Sequence, residues 1–571
     1  MRKRGVATIV LLFVLGALLP LTGGLASAGP RSYVVVYKHG VTLAQARAAV
    51  AAAGGTIVKE NRAVGVATAI SSRSDFLSRA LRQPALFGAT KNRVIGSATA
   101  MSGPEWLKAE QLTPSEKREA VRNSSRAEVA DAAPGEEPLA NLQWDMQMIH
   151  ATTDGSYAVQ KGDKRVLVGV IDTGIDGSHP DLAPNLDVSL SRNFTTDIPE
   201  DPLGNPIDGP CEYPSCKDPA DVDNGAHGSH VAGIIAAAIN GLGTAGVAPN
   251  VTLVNVRAGQ DSGFFFLQET VDALTYSGDI GIDVVNMSYF TDPWLYNCAN
   301  HPDDSAEEQA QQRTIIEASQ RALDYAYKRN VTLIAAEGNE ATDLGNPTLD
   351  ETSPDYPLGT EKSRVVDNSC LDVPAELNHV IAVSSLGPSG NKSDFSNYGV
   401  EQTDVSAPGG WFRDFFGTPR NRVVENTVLS AMPENVAVSE GDLNPDGTPN
   451  TPFVVQDCQD GVCAYYQWLQ GTSMAAPHAV GVAALIISEF GTKDGKHKGG
   501  LTMNPLQVQK ILYRSATDHA CPDPRLVSYT NVGRPASWDA FCEGGTEFNG
   551  FYGNGIVDAL NAIDGNRGND Q

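Results

Sequence analysis

The chain has 571 residues, more than one average domain needs, so several parts are expected. It carries 42 Lys and Arg against 68 Asp and Glu, a net charge of −26, and the two signs are unevenly placed. Residues 1–98 hold 13 basic and 2 acidic side chains while residues 99–571 hold 29 and 66; an acidic body of that size repels phosphates and excludes nucleic acid as a partner.

Taken in chain order, Arg2-Lys3-Arg4, the apolar run Val6 to Leu21 and Ala26-Ser27-Ala28 read as a secretion signal over residues 1–28. Pro20 and the small-residue cleavage site argue for removal, which predicts an extracellular protein with no membrane attachment afterwards. No later stretch reads as apolar enough to span a bilayer. Residues 29–98 read as a small unit: strand Ser32–Lys38, helix Leu43–Ala53 stopped by Gly54-Gly55, strands Thr56–Lys59 and Gly65–Ile70, a helix over Ser74–Arg82 capped by Ser74, and a last strand Asn92–Ser97. The order β-α-β-β-α-β is ferredoxin-like, α+β. Residues 99–138, rich in Glu, Lys, Ser and Ala with Pro134-Gly135 near the end, read as a linker. From Arg165 onward strands alternate with helices, which predicts an α/β domain over 139–566 built on a mainly parallel sheet.

Four segments carry chemistry. Val168-Gly169-Val170-Ile171-Asp172-Thr173-Gly174 ends an apolar strand in an acid, where open parallel sheets place their sites. His227-Gly228-Ser229-His230-Val231-Ala232-Gly233 starts a small-residue helix with a histidine. Gly471-Thr472-Ser473-Met474-Ala475-Ala476-Pro477-His478 puts a serine at the start of an apolar helix, where orphan N–H groups and the helix dipole gather. Ala335-Ala336-Glu337-Gly338-Asn339-Glu340 supplies an amide. Through Asp172, His227 and Ser473, in that order, the chain resembles the subtilisin family of serine endopeptidases. The resemblance implies that Ser473 is the nucleophile, His227 its general base and Asp172 the residue that orients the imidazole. It further implies that the Asn339 side chain shares oxyanion binding with the Ser473 N–H, within a three-layer subtilisin-like fold.

Further expectations follow from the same resemblance. Residues 29–98 are similar to the pro-domain that assists folding of such enzymes and inhibits them until removed. Here ten basic side chains stand against Glu60 and Asp75, which predicts attraction to the acidic body and inhibition that weakens as salt rises. Peptide is expected to bind as an added strand between Gln260-Asp261-Ser262-Gly263 and the segment after Asn286-Met287-Ser288, where Tyr289-Phe290 replaces a Gly-rich run. Asp261, Ser262, Gly263, Ser288, Tyr289, Phe290, Ala336 and Gly338 are the candidate substrate residues. Glu337 could favour basic substrates, but strand alternation argues equally that Ala336 faces the pocket and Glu337 turns away. Ala238 to Gly246 resembles the family's calcium loop, with Asp181 and Asn240 as side-chain ligands of a structural calcium ion. His230 and His478 read as structural, and Asp176 as a turn or metal residue.

Two insertions, 341–374 and 411–468, depart from the family pattern; the second ends just ahead of the serine motif. All eight cysteines lie after residue 138, and an even count in an exported chain implies disulfides. Spacing suggests Cys211–Cys216 and Cys458–Cys463 as local loops, leaving Cys298–Cys370 and Cys521–Cys542, although spacing alone does not decide connectivity. The end, Tyr552 to Ala559, resembles the last turn and helix of such domains; only a short polar tail follows, and a monomer is expected. A broad, nutritional endopeptidase is the first reading, a dedicated processing protease the second, and a pseudo-enzyme binder the third.

Overall fold

The computed structural model describes residues 31–92, 94–97, 112–123, 136–200, 204–289, 293–354 and 361–564. The signal segment 1–28, most of the expected linker and Phe290 lie outside them.

The leader is a four-stranded antiparallel sheet with two helices. Its elements are β1 (Arg31–Tyr37), α1 (Leu43–Ala53), β2 (Thr56–Asn61), β3 (Val66–Ser71), α2 (Phe76–Ala80) and β4 (Leu86–Lys91), in the sheet order β2–β3–β1–β4. Thr42 and Gln45 close a capping box at the start of α1, and Gly54 takes the left-handed conformation at its end (φ 93°). Two expectations are corrected here. Asp75, not Ser74, precedes α2, and it makes no side-chain cap bond. The fourth strand is 86–91, because Gly88 lets the sheet close on Thr314: a Cβ there would lie 2.2 Å from the threonine Oγ1. The segment expected as that strand, β5 (Val94–Ser97), leaves the unit altogether. Within the expected linker, Pro114–Asn123 forms a helix, α3.

The body begins with α4 (Trp144–Met148) and continues β6 (Leu167–Val170), β7 (Arg192–Asn193), α5 (His227–Ala236), β8 (Thr252–Arg257), β9 (Phe264–Phe266), α6 (Leu267–Ile280), β10 (Val284–Met287), β11 (Tyr296–Cys298), α7 (Ala306–Tyr327) and β12 (Thr332–Ala336). The short β13 (Leu349–Asp350), β14 (Arg364–Val365) and β15 (Cys370–Asp372) follow, then β16 (Val380–Leu386), β17 (Val405–Pro408), β18 (Val428–Met432), α8 (Glu434–Ser439), β19 (Val454–Gln459), β20 (Val462–Leu469), α9 (Thr472–Phe490) and α10 (Pro505–Ser515). Seven strands form one parallel sheet in the order β17–β16–β12–β10–β6–β8–β7. Alternation along each strand feeds two cores. Val168, Ile334 and Ala336 pack with α5 and α9 on one face, while Leu167, Leu333 and Ala335 pack with α6 and α7 on the other. Three layers result. α9 is long and apolar enough to cross a membrane, contrary to expectation, but 83% of its apolar window is buried inside the body.

The leader sheet lies against α6 and α7. Val34, Val36 and Val66 are fully buried and join the α6–α7 core, each worth on the order of 1.5–3 kcal/mol of apolar burial. Polar contacts surround them: Asn61 Nδ2 donates to Asp272 (2.7 Å), Arg321 donates to the Tyr37 carbonyl (2.8 Å), and Lys59 pairs with Asp272 (3.0 Å) and Glu269 (3.4 Å). Half-exposed ion pairs of this kind contribute at most about 1 kcal/mol, so apolar burial outweighs charge in this docking. Arg47 and Arg62 are spent inside the leader on Glu60, and Arg73 on Asp75.

The second insertion forms an antiparallel sheet, β18–β20–β19, packed on α5. The four disulfides are Cys211–Cys216, Cys298–Cys370, Cys458–Cys463 and Cys521–Cys542.

Candidate active site

The site assembles at the carboxyl ends of β6, β10 and β12. Asp172 lies just past β6, fully buried, and its Oδ1 accepts from Thr173 N (2.7 Å) and from His227 Nδ1 (2.8 Å). A carboxylate that accepts from Nδ1–H fixes the tautomer and makes Nε2 the basic nitrogen. His227 is delivered by close packing: α5 starts at it, and Gly228 has room only for hydrogen, since a Cβ would lie 2.1 Å from the Gly174 carbonyl oxygen. Ser473 is the second residue of α9 and is 4% exposed. α9 packs against α5 and against the ends of β10 and β12, so both helices direct their first turns at the same end of the sheet.

The residue before the serine orients the amide. Thr472 donates from its N–H (2.9 Å) and from its hydroxyl (3.0 Å) to Asn339 Oδ1, and the same hydroxyl accepts from Gly338 N (3.1 Å). Asn339 therefore has its oxygen held by Thr472, and its NH2 is the end of the amide that these contacts do not use. Ser288 donates to the Ser473 carbonyl (2.9 Å) while accepting from Asn286 (2.9 Å); its hydroxyl braces the backbone of Ser473. Sequence reasoning missed Thr472 as the clamp, although its place between glycine and serine in the motif was the available signal.

A family model of the subtilase family matches residues 163–555. This chain belongs to the subtilase family. Among curated relatives, the nisin leader peptide-processing serine protease NisP of Lactococcus lactis is 28% identical over 383 residues, 66% of this chain and 47% of that protein. The thermophilic serine proteinase of a Bacillus strain is 28% identical over 59% of this chain and 56% of its own length. The chain thus spans about half the length of these relatives. The crystal structure of the epidermin leader peptide processing serine protease EpiP from Staphylococcus aureus aligns with 95% of this chain and 100% of its own, at 21% identity and a TM-score of 0.59; that identity speaks for the fold alone.

For a subtilase, the second histidine of the α5 motif behaves as a structural group. His230 is fully buried with Nε2 3.2 Å from the Val428 carbonyl and 3.1 Å from the Gln467 carbonyl. Burial, then the neighbouring His227, pushes it down to about 3, so it stays neutral. His478 bonds locally to the Met474 carbonyl (2.8 Å) and also reaches Asp145 (3.0 Å), an acid in the α4 segment that the sequence did not connect to it. Asp176 forms a turn with Ser178.

The expected substrate segment 260–263 lies next to a strand edge. Asp261, Ser262 and Gly263 form the turn into β9: Gly263 N donates to the Gln260 carbonyl, and Ser262 donates to Asp208 (2.8 Å). The strand edge itself is β9, and β5 of the leader pairs with it antiparallel, Gly96 opposite Phe265. Tyr289 is buried and stacks on Phe265, centroids 4.4 Å apart. Glu337 turns away from the cleft, accepting from Thr403 (2.7 Å).

The expected calcium ligands have protein partners of their own. Asp181 and Asn240 are neighbours, but Asp181 accepts from the Tyr466 hydroxyl (2.7 Å) and Asn240 turns an N–H toward it (3.1 Å). Tyr466 comes from β20 of the second insertion. Elsewhere Asp197, Glu212 and Asp261 bring carboxylate oxygens within 4.8 Å of one another, a group that could hold a metal ion. Arg257 already pairs with Asp218 and Asp261 there (both 2.8 Å). Burial nevertheless pushes Asp261 up to about 8 and Asp197 to about 7, and Asp197 Oδ2 and Asp218 Oδ1 have no hydrogen-bond partner among the described residues.

Proposed function

We propose that this chain is an exported serine endopeptidase, made as a zymogen that its own leader inhibits. The observation that carries the reading is the buried His227–Asp172 bond of 2.8 Å at the sheet end where Ser473 and Asn339 also lie. On this reading Ser473 Oγ attacks the scissile carbonyl as His227 Nε2 takes its proton, and Asp172 stabilises the imidazolium. The oxyanion is held by Asn339 Nδ2 and the Ser473 N–H, His227 returns the proton to the leaving amine, and water then releases the acyl group. The leader supports inhibition by lying on α6 and α7 and pairing β5 with β9, the edge that an extended substrate would need.

Ser473→Ala is expected to abolish both leader removal, read on a gel, and cleavage of a peptide library. Serine-independent cleavage of the library would refute the assignment. Asn339→Ala is expected to keep the fold by circular dichroism and to lower kcat about 10²–10³-fold, a magnitude taken from donors of this kind in the family.

A narrow processing role is the second reading. Both insertions are folded and carry a disulfide, and β20 ends two residues before Gly471; NisP and EpiP bear names of leader-processing enzymes. Library profiling separates the readings, since one cleaved motif supports processing and many support general digestion. Structural calcium is assigned to Asp197, Glu212 and Asp261, whose carboxylate oxygens come within 4.8 Å of one another. A chelator should lower the Tm of the unmodified protein and leave Asp197→Asn unmoved; an unchanged Tm in the former removes the ion from this account.

A further inference from the structure

The side chains behind Asn339 are mostly acidic. Gly338, immediately before the oxyanion donor, has φ +101°, and a Cβ there would meet Asn397 Nδ2 at 2.4 Å, Glu340 Oε2 at 2.7 Å and Asp372 Oδ2 at 3.2 Å. Glycine is thus required, and the backbone just before the oxyanion donor lies directly against Asn397, Glu340 and Asp372. Glu340 is already engaged: its Oε2 accepts from Asn339 N (2.9 Å) and Asn397 Nδ2 (2.6 Å). Asp372 is different. It is 1% exposed, and among the described residues neither of its carboxylate oxygens has a hydrogen-bond partner. Its charged neighbours are Glu340, Glu376 and Glu337, all acids, and burial among them holds its carboxyl well above the ordinary range.

A buried carboxylate without a partner is costly, and such groups gather at functional sites. The residue on the acyl side of the scissile bond, P1, is joined directly to the carbonyl that Asn339 binds, so its side chain starts beside Gly338. A long cationic side chain entering there would supply both the donors and the charge that Asp372 lacks. We propose that Asp372 is the specificity residue of the cleft and selects arginine or lysine at P1, with arginine able to bind the carboxylate through two parallel N–H bonds. Glu340 adds to the negative potential, while Glu337 contributes no contact because its carboxylate is turned to Thr403. The assignment rests on the endopeptidase reading above and narrows its substrate class.

The test uses the enzyme after leader removal and tetrapeptide anilides that differ only at P1. Arginine and lysine should exceed leucine by at least ~100-fold in kcat/KM, the scale of a site built to pair with a polar group. Asp372→Asn should reduce the arginine-to-leucine ratio at least ~30-fold, whereas Asp372→Glu should keep a preference for basic P1 residues. Benzamidine, a mimic of the arginine side chain, should inhibit the unmodified enzyme competitively, which probes the pocket without any substitution. Reaction with a fluorophosphonate, which carries no P1 charge, reports separately on whether Ser473 is activated. A fluorophosphonate-reactive enzyme that cleaves after leucine as well as after arginine, or whose ratio is unmoved in Asp372→Asn, overturns the assignment. Absence of fluorophosphonate reaction in the unmodified enzyme overturns the endopeptidase reading and this assignment with it.

Discussion

Arg364 and Asp372 stand eight residues apart beside the same disulfide, and both are buried. Around Arg364 the charges close. It donates to Asp304 (2.8 Å), Asp350 (2.5 Å) and the Tyr296 carbonyl (2.9 Å), lies over the Trp294 ring, and Lys362 adds pairs to Asp304 and Glu308. Around Asp372 they do not: Glu340, Glu376 and Glu337 surround it, and Lys392 reaches only the Glu337 end of the group. The same stretch of chain therefore contains one acid cluster satisfied from within and one that must be satisfied from outside or stay protonated. The first is a staple for the insertion. The second is the kind of environment that a binding site keeps at some cost in stability.

Breaking each cluster should give opposite results. The largest effect is expected for Arg364→Met, which strands Asp350 and leaves Asp304 with Lys362 as its cation, and should lower unfolding free energy by about 3–5 kcal/mol in urea titration. An effect below about 1 kcal/mol would mean that the cluster is not a staple. Asp372→Asn should instead stabilise, by on the order of 1 kcal/mol at pH 8. The sign follows from linkage: the folded Asp372 carboxyl keeps a proton that the unfolded chain releases near pH 4. Its contribution is full below that pH and is lost as pH rises toward the raised folded value. The stability difference between Asp372→Asn and the unmodified chain should therefore widen as pH rises from about 4, and a constant difference would remove the unpaired charge from the argument. The smallest effect concerns exposed charge. Isolated leader should inhibit less tightly at 0.5 M than at 0.05 M NaCl, by less than about tenfold; a much steeper loss would show that charge, not valine burial, docks it.

The segments around Asp172, His227 and Ser473 were legible because each is local: small residues there answer to neighbours in sequence, as Gly228 shows. Most of the leader was legible for the same reason, since Gly54 and the Thr42 capping box mark α1 without outside help. Its last strand was not. Gly88 weakens the pattern at 86–91, and what it accommodates, Thr314, comes from α7. The polar segment holding α3 read as linker, yet Glu116 meets Arg413 and Glu119 meets Arg422 (2.6 Å each), about 300 residues away. Tyr466 at Asp181 and the acids around Asp372 share this character. A missing partner has no signature in sequence, because it is defined by everything that folding fails to bring near.

The sheet of the second insertion has a practical consequence for anyone wishing to rebuild this chain. Val428 and Gln467 supply the carbonyls at His230, Ser430 donates to the His230 carbonyl, and Tyr465 supplies the carbonyl at His179. Cutting out 411–468 to reach a shorter, simpler chain would uncover the helix that bears His227. The exposed turn at 440–450 is where foreign sequence, a tag or a randomised library can be spliced while the strands on either side are left alone.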